Sequence, residues 1–205
     1  MAEHKNHLSR VYGLDTQEAT DAFYSDWAET YDAEVIANGY QTPARAATAL
    51  TVFAEPDARI LDIGCGTGYS GYHFRQAGFR NVIGTDPNPD MLTIASQRGV
   101  YEETWLTDLA SPFPFSPGTY DVIAAIGVIS TGAAPPETLA AVLEHLLPGG
   151  LILFSYNDHA LDEPAFPEAR NAVLKAGLAV ERFREYGPHL TGKDLKSDVY
   201  ILERT

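Results

Sequence analysis

The stretch with the clearest chemical potential is Ile60-Leu61-Asp62-Ile63-Gly64-Cys65-Gly66-Thr67-Gly68, an apolar run that ends in alternating glycines. A strand that enters a glycine-rich turn and then a helix puts backbone N–H groups at the carboxyl edge of a sheet, where they can hold a carboxylate or hydroxyls. Glycine is needed there because a Cβ would block both the tight turn and the close approach of a ligand. Two acids follow at suitable places. Asp86 closes the next apolar run, Asn81–Thr85, 22 residues after Gly64, and a carboxylate there can accept both hydroxyls of a ribose. Asp108, after Trp105-Leu106-Thr107, can accept from an exocyclic amino group such as that of adenine, with Leu109 supplying apolar contact. Each feature has a plain structural alternative: a strand-to-helix turn, a cap for a helix starting near Pro89, and a loop carboxylate that caps nearby amides.

Positioning these groups requires alternating strands and helices. Strands are expected at Arg59–Ile63, Asn81–Thr85, Tyr101–Leu106, Tyr120–Ile126 and Gly150–Tyr156, with helices near Tyr69–Ala77, Pro89–Arg98 and Pro136–Leu147 between them. Gly78 and Gly99 stand where helices stop. Such alternation predicts a parallel sheet with helices on both faces. After a helix near Pro167–Ala176, the runs Leu178–Tyr186 and Asp198–Glu203 have no helix between them and should pair antiparallel. Upstream, Asp15 with Glu18 resembles a capping box ahead of Phe23, Tyr24, Trp27 and Tyr31 at helical spacing. A second helix is expected from Thr42 as N-cap, through Pro43, to about Phe53. The expected organisation is one domain over 1–205, with a helical lid at 1–57 and a ligand-binding α/β core at 58–205.

ILDIGCGTG, IGTD, the TDL after Trp105, YDVI and LLPGG resemble the successive motifs of class I S-adenosylmethionine-dependent methyltransferases over Ile60–Phe154. Phe23–Asp32 is further similar to a YxxWAxxYD segment of the methyltransferase-like group typified by the Williams–Beuren critical region protein. The resemblance implies a Rossmann-like, seven-stranded, mostly parallel sheet and S-adenosylmethionine as cofactor. It implies that Gly64, Cys65, Gly66, Thr67 and Gly68 lie beside the methionyl part, with Asp62 near its ammonium. Asp86 is implied on the ribose, Asp108 with Leu109 at the adenine, and Trp27 and Tyr31 over the cofactor; an aromatic stripe packed in the core is the alternative for the last two. Pro87, Met91 and Ile126 complete the expected cofactor set. The implied reaction moves a methyl group to an O, N or S nucleophile, an in-line displacement that depends on alignment and exclusion of water. No catalytic triad is visible. A cofactor-binding protein without turnover is the alternative reading. A nicotinamide dehydrogenase fits poorly, because its third glycine falls five positions after the first, where Tyr69 stands here.

Composition bounds the partners. The 205 residues carry 14 basic and 28 acidic side chains, a formal charge of −14. An acidic surface of that size repels phosphate backbones, so a small-molecule acceptor is expected and nucleic acid is not. No run approaches the roughly 18 apolar residues of a membrane span, and the start lacks an apolar signal region, so a cytoplasmic setting is expected. Cys65 is the single cysteine, and the histidines lack the clustering of a metal site, so none is expected. Gly187–Asp194 mimics a phosphate-binding loop but has Asp194 in place of the Ser or Thr, and Pro188 removes an amide; it reads as a connection bordering the acceptor. Tyr156, Asn157 and His159, after the fifth strand, are the acceptor-side candidates. Asp121 is read as structural, and His4 and His7 as parts of a mobile terminus. Oligomeric state cannot be read from these features.

Overall fold

The computed structural model describes residue 7, residues 17–107, residue 113 and residues 115–205, the side chains of 17–21 excepted. Asp15 of the expected capping pair, the side chain of its partner Glu18, and the candidates Asp108 and Leu109 lie outside the described residues. In chain order the elements are α1 (Gln17–Ala37), α2 (Thr42–Leu50), β1 (Arg59–Ile63), α3 (Tyr69–Gln76), β2 (Asn81–Asp86), α4 (Pro89–Gln97), β3 (Thr104–Leu106), β4 (Val122–Ala125) and α5 (Thr138–Glu144). They continue with β5 (Leu151–Asn157), α6 (Asp158–Asp162), α7 (Ala165–Lys175), β6 (Ala179–Leu190), a 3-10 turn (Thr191–Lys193) and β7 (Leu195–Arg204).

The seven strands form one sheet in the order β3-β2-β1-β4-β5-β7-β6. β1 to β5 pair in parallel, whereas β7 runs antiparallel to both β5 and β6. The order reverses between β1 and β4, which opens a crevice at their carboxyl ends. β4 and β5 are buried at every position, as expected of strands covered on both faces, and this is why they read as unbroken apolar runs. One core layer packs Leu61, Ile123, Ile152 and Phe154 against Leu139 and Val142 of α5 and Phe166 and Val173 of α7. The other packs Ile60, Val82, Val122 and Leu153 against Phe74 of α3 and Ala46, Ala47 and Leu50 of α2.

Several expectations shift. Gln41, not Thr42, occupies the N-cap of α2; Thr42 is fully buried because its hydroxyl bonds His189 Nδ1 and Ser197 Oγ, both at 2.8 Å. α2, expected in the lid, belongs to the core layer, and Arg45 anchors it by donating to the Pro188, Ser197 and Glu185 carbonyls. The expected loop after Tyr186 is mostly strand: β6 runs on to Leu190 past a register shift at Pro188, and β7 starts at Leu195. β3 starts at Thr104 rather than Tyr101, whose ring packs over Gly71 and Gly84. His7 is buried 5.7 Å from the Trp27 ring, its Nε2 3.3 Å from Asp26, so it is held rather than mobile. His4 lies outside the described residues. Asp121 is structural as expected, pairing with Arg59 at 2.8 Å. Among the described residues no helix is long and apolar enough to cross a membrane.

If α2 is core, truncating its fully buried leucine, Leu50→Ala, should cost about 2–5 kcal/mol. Chemical denaturation measures it; a loss within about 0.5 kcal/mol, as for surface substitutions, would mark α2 as a loosely held cover.

Candidate functional site

The glycine loop turns sharply at the end of β1. Gly64 and Gly66 hold positive φ, +60° and +55°, and a Cβ on Gly64 would sit 2.6 Å from Val128. The Cys65 N–H donates to the Thr85 carbonyl at 2.9 Å, lashing the loop to β2. Asp86, at the end of β2, accepts from the Gly66 N–H through Oδ2 and from the Asn88 N–H through Oδ1, each at 2.8 Å. It does not cap α4. That role falls to Asn88, whose Oδ1 accepts from the Asp90 and Met91 N–H groups at 3.0 Å.

Asp62 lies deeper. It is 1% exposed, and its Oδ2 accepts from the Ser70 hydroxyl at 2.5 Å and the Tyr101 hydroxyl at 2.7 Å. Burial pushes its carboxyl up to about 6; the two hydroxyl donors pull it down, and the nearby Asp86 charge adds to the rise. Burial, followed by the Asp62 and Asp86 charges, also lifts the Cys65 thiol well above its usual range, so a nucleophilic cysteine is not what this site offers.

A cavity of about 510 Å³ opens at the crevice, within the usual range for small-molecule sites. Its walls contain Tyr31, Gly64, Cys65, Gly66, Thr67, Asp86, Pro87, Met91 and Ile126 of the expected cofactor set. Three others stand apart from it. Asp62 is behind the loop, Gly68 is the left-handed N-cap residue of α3 at φ 86°, and Trp27 is 2% exposed within the α1 cluster of Phe23, Val35 and Leu190. Trp27 packs in this aromatic cluster, its indole N–H donating to Glu34 at 2.8 Å, and also lines a smaller recess beside the cavity.

α1 is fastened to this cavity by polar contacts that spacing did not reveal. Asp32 accepts from the Thr67 hydroxyl at 2.6 Å and pairs with Arg98, whose Nε donates to the Thr67 carbonyl at 2.9 Å. Asn88 Nδ2 donates to Ser25 Oγ at 3.0 Å. Asp32 was visible only as the last letter of the YxxWAxxYD segment; Asn88 had the signal of an N-cap residue directly before Pro89.

A second recess, of about 60 Å³, adjoins the first and shares Tyr24, Tyr31, Tyr40 and Gly127 with it. Of the acceptor-side candidates only Asn157 reaches it. Tyr156 is fully buried in the core, and its hydroxyl is pushed up by that burial; His159 is exposed on α6. His189 and Leu190, from the segment read as an acceptor-side connection, line the recess instead. No metal-ligand cluster occurs among the described residues.

A doubly wound sheet with its ligand crevice at the strand switch defines a Rossmann-like nucleotide-binding class. A methyltransferase-domain family model matches residues 38–199, and the chain belongs to that family, the class I S-adenosylmethionine-dependent methyltransferases. Human (Homo sapiens) methyltransferase-like protein 27 is 36% identical over 156 residues, covering 74% of this chain and 63% of the relative. The Bos taurus 18S rRNA (guanine-N(7))-methyltransferase is 36% identical over 85 residues, 42% of this chain and 30% of its own. The chain thus spans less than two thirds of either relative. The methyltransferase solved in complex with the Haloferax volcanii Trm112 methyltransferase activator has the same fold, with a TM-score of 0.67 at 18% identity over 88% of this chain and 97% of that one.

The rRNA-modifying relatives overturn the expectation against nucleic acid as a partner. Net charge sums over the whole surface, whereas a phosphate backbone responds to the local field where it docks. The acidic balance therefore does not select an acceptor class.

The raised Asp62 carboxyl predicts a pH dependence. A group whose folded value lies above its unfolded value contributes stability that is complete below the unfolded value and lost as pH rises through the folded one. Wild type should accordingly gain on Asp62→Asn as pH falls from 7 to 4, by roughly 1.4 kcal/mol per pH unit at most. Parallel denaturant titrations give the difference; a flat difference would mean that Asp62 titrates normally.

Proposed function

We propose that the protein is an S-adenosylmethionine-dependent methyltransferase that binds its cofactor in the 510 Å³ cavity and transfers the methyl group to an O, N or S nucleophile. The observation that carries this reading is the pairing of Asp86 with the Gly66 N–H at the switch point, in a chain of this family. The residues fit the cofactor. Positive-φ glycines leave backbone open to its amino-acid end, and the Asp86 carboxylate, held by the Gly66 and Asn88 N–H groups, is an acceptor of the kind ribose hydroxyls need. Met91, Pro87 and Ile126 supply apolar wall to a base. Asp62 acts at one remove, setting a negative charge behind the loop that favours an ammonium in front of it.

When bound, the cofactor supplies an electrophilic methyl on a sulfonium whose departure leaves a neutral thioether. The protein's part is alignment and dryness. Tyr24, Tyr31 and Tyr40 wall both the cavity and the recess, and the Asp32–Thr67–Arg98 contacts keep α1 over the loop. The lid function expected of residues 1–57 is thus assigned to α1 alone.

Asp86→Ala should weaken binding of the demethylated cofactor, S-adenosylhomocysteine, roughly ten- to a hundredfold through loss of charge-assisted hydrogen bonds. Titration calorimetry on variant protein with an unchanged circular dichroism spectrum measures it, and equal affinity would remove Asp86 from the site. Thermal stabilisation by S-adenosylmethionine but not by NAD separates this reading from a dehydrogenase, and homocysteine release with a panel of acceptors separates turnover from binding alone.

A further inference from the structure

The small recess beside the cofactor cavity has a chemistry of its own. Among the described residues its lining contains no Lys, Arg, Asp or Glu; Ser130, Thr131, Asn157 and His189 stand there beside Tyr24, Tyr31, Tyr40, Trp27 and aliphatic side chains. His189 is 5% exposed, and the one hydrogen bond its ring makes among the described residues is between Nδ1 and Thr42 Oγ1. Thr42 is held in turn by Ser197 Oγ at 2.8 Å, and Ser197 Oγ accepts from Arg45 Nη1 at 3.1 Å. The imidazole is therefore oriented from behind by α2 and β7, and its edge packs against Tyr40 at 5.1 Å. That arrangement leaves Nε2 for a ligand.

We propose that this recess seats the polar end of the methyl acceptor, that the group seated is uncharged, and that His189 is the specificity-determining residue that hydrogen-bonds it through Nε2. The inference rests on the methyltransferase reading and deepens it. An ion entering the recess would lose its water and find no opposite charge among the described residues of the walls, whereas a hydroxyl, amide or neutral amine would exchange water for the imidazole and the neighbouring hydroxyls. The ring itself carries no compensating charge. Burial first, then the charges of Arg45 and His159, hold it down at about 4 against the opposing pull of Asp158, so it is neutral near pH 7 and able to donate or accept. Size sets the scale of the group. About 60 Å³, against the roughly 10–15 Å³ that one water requires, accommodates a functional group of a few heavy atoms. The body of the acceptor must then stay between Tyr24, Tyr31 and Tyr40, within reach of the methyl-donor cavity.

Three one-ring probes that differ in charge test this on the full chain: phenol, benzoate and benzylammonium, titrated by NMR against protein with and without saturating S-adenosylhomocysteine, with the His189 imidazole resonances assigned from His189→Gln. Phenol is expected to move those resonances and to bind at least tenfold more tightly than either ion. His189→Phe is expected to lose at least tenfold of the phenol affinity while S-adenosylhomocysteine affinity stays within twofold, and His189→Gln, which keeps a hydrogen-bonding group, to recover part of the loss. Equal or tighter binding of an ion, phenol binding that leaves the His189 resonances unmoved, full affinity in His189→Phe, or no binding of any probe would each overturn the proposal. Failure to take up S-adenosylhomocysteine would instead count against the methyltransferase reading. The probe contrast is then read without it, since no glycine-loop residue lines the recess.

Discussion

The hydrogen bond from the Gly66 N–H to the Asp86 carboxylate is the contact on which the site's geometry turns. β1 and β2 are already in register, Ile63 opposite Thr85, but pairing ends where both strands end. Beyond that point the backbone must hold two left-handed glycines away from any regular ladder. Asp86 supplies the missing acceptor, and with the Cys65 N–H on the Thr85 carbonyl it carries the strand pairing one step into the loop. A charge-assisted bond in a nearly dry position is stronger than a surface one. Its second oxygen, on the Asn88 N–H, starts the turn into α4, so one side chain sets the glycine loop, the end of β2 and the entry to the next helix.

This economy has an electrostatic cost. Asp62 and Asp86 are both buried; burial first, and the nearby Asp86 charge after it, raise the Asp62 carboxyl. Two hydroxyl donors from different elements, Ser70 of α3 and Tyr101 before β3, offset part of that cost. The remainder is a standing preference for positive charge at the crevice. A site that favours a cation before any ligand arrives is suited to a sulfonium bearing an ammonium, and carboxylates this dry would be a poor choice for a fold concerned with stability alone.

Most of the architecture was legible because it is encoded at short range. The strand-turn-helix of residues 59–76, the glycine stops at Gly78 and Gly99, and the helix-free ending each depend on neighbours within one or two turns of chain, and β1 was placed to the residue. The helical cover was less legible. Whether Trp27 faces a ligand or a core depends on what α1 packs against, and the answer lies in partners such as His7 and Leu190 that no periodicity reports. The same holds for Asp32 on Thr67, 35 positions away, and for Thr42 on His189, 147 positions away. The extension of β6 through Pro188 was missed for another reason. Proline argues against a ladder position, yet here it falls at a register shift, where the missing amide is tolerated.

The same division explains why the cofactor was readable and the acceptor was not. The proposed cofactor contacts come from strand ends and the loop between them, elements whose geometry the sheet imposes on any chain of this topology. The acceptor side is assembled from pieces the sheet does not fix: α1, the Tyr40 segment that bridges to Leu190, and the far end of β6. These can change while the sheet stays as it is. The likeness to three rRNA-modifying relatives spans between 37% and 53% of this chain. Total charge is a weak guide, because −14 describes a surface average, whereas each cavity has a lining of its own: among the described residues, Asp86 and Glu137 line the larger, and no Lys, Arg, Asp or Glu lines the smaller. On the proposal made for the recess, acceptor choice rests on a few desolvated polar groups there and on the surface around its mouth, and only the first of these is built into the core.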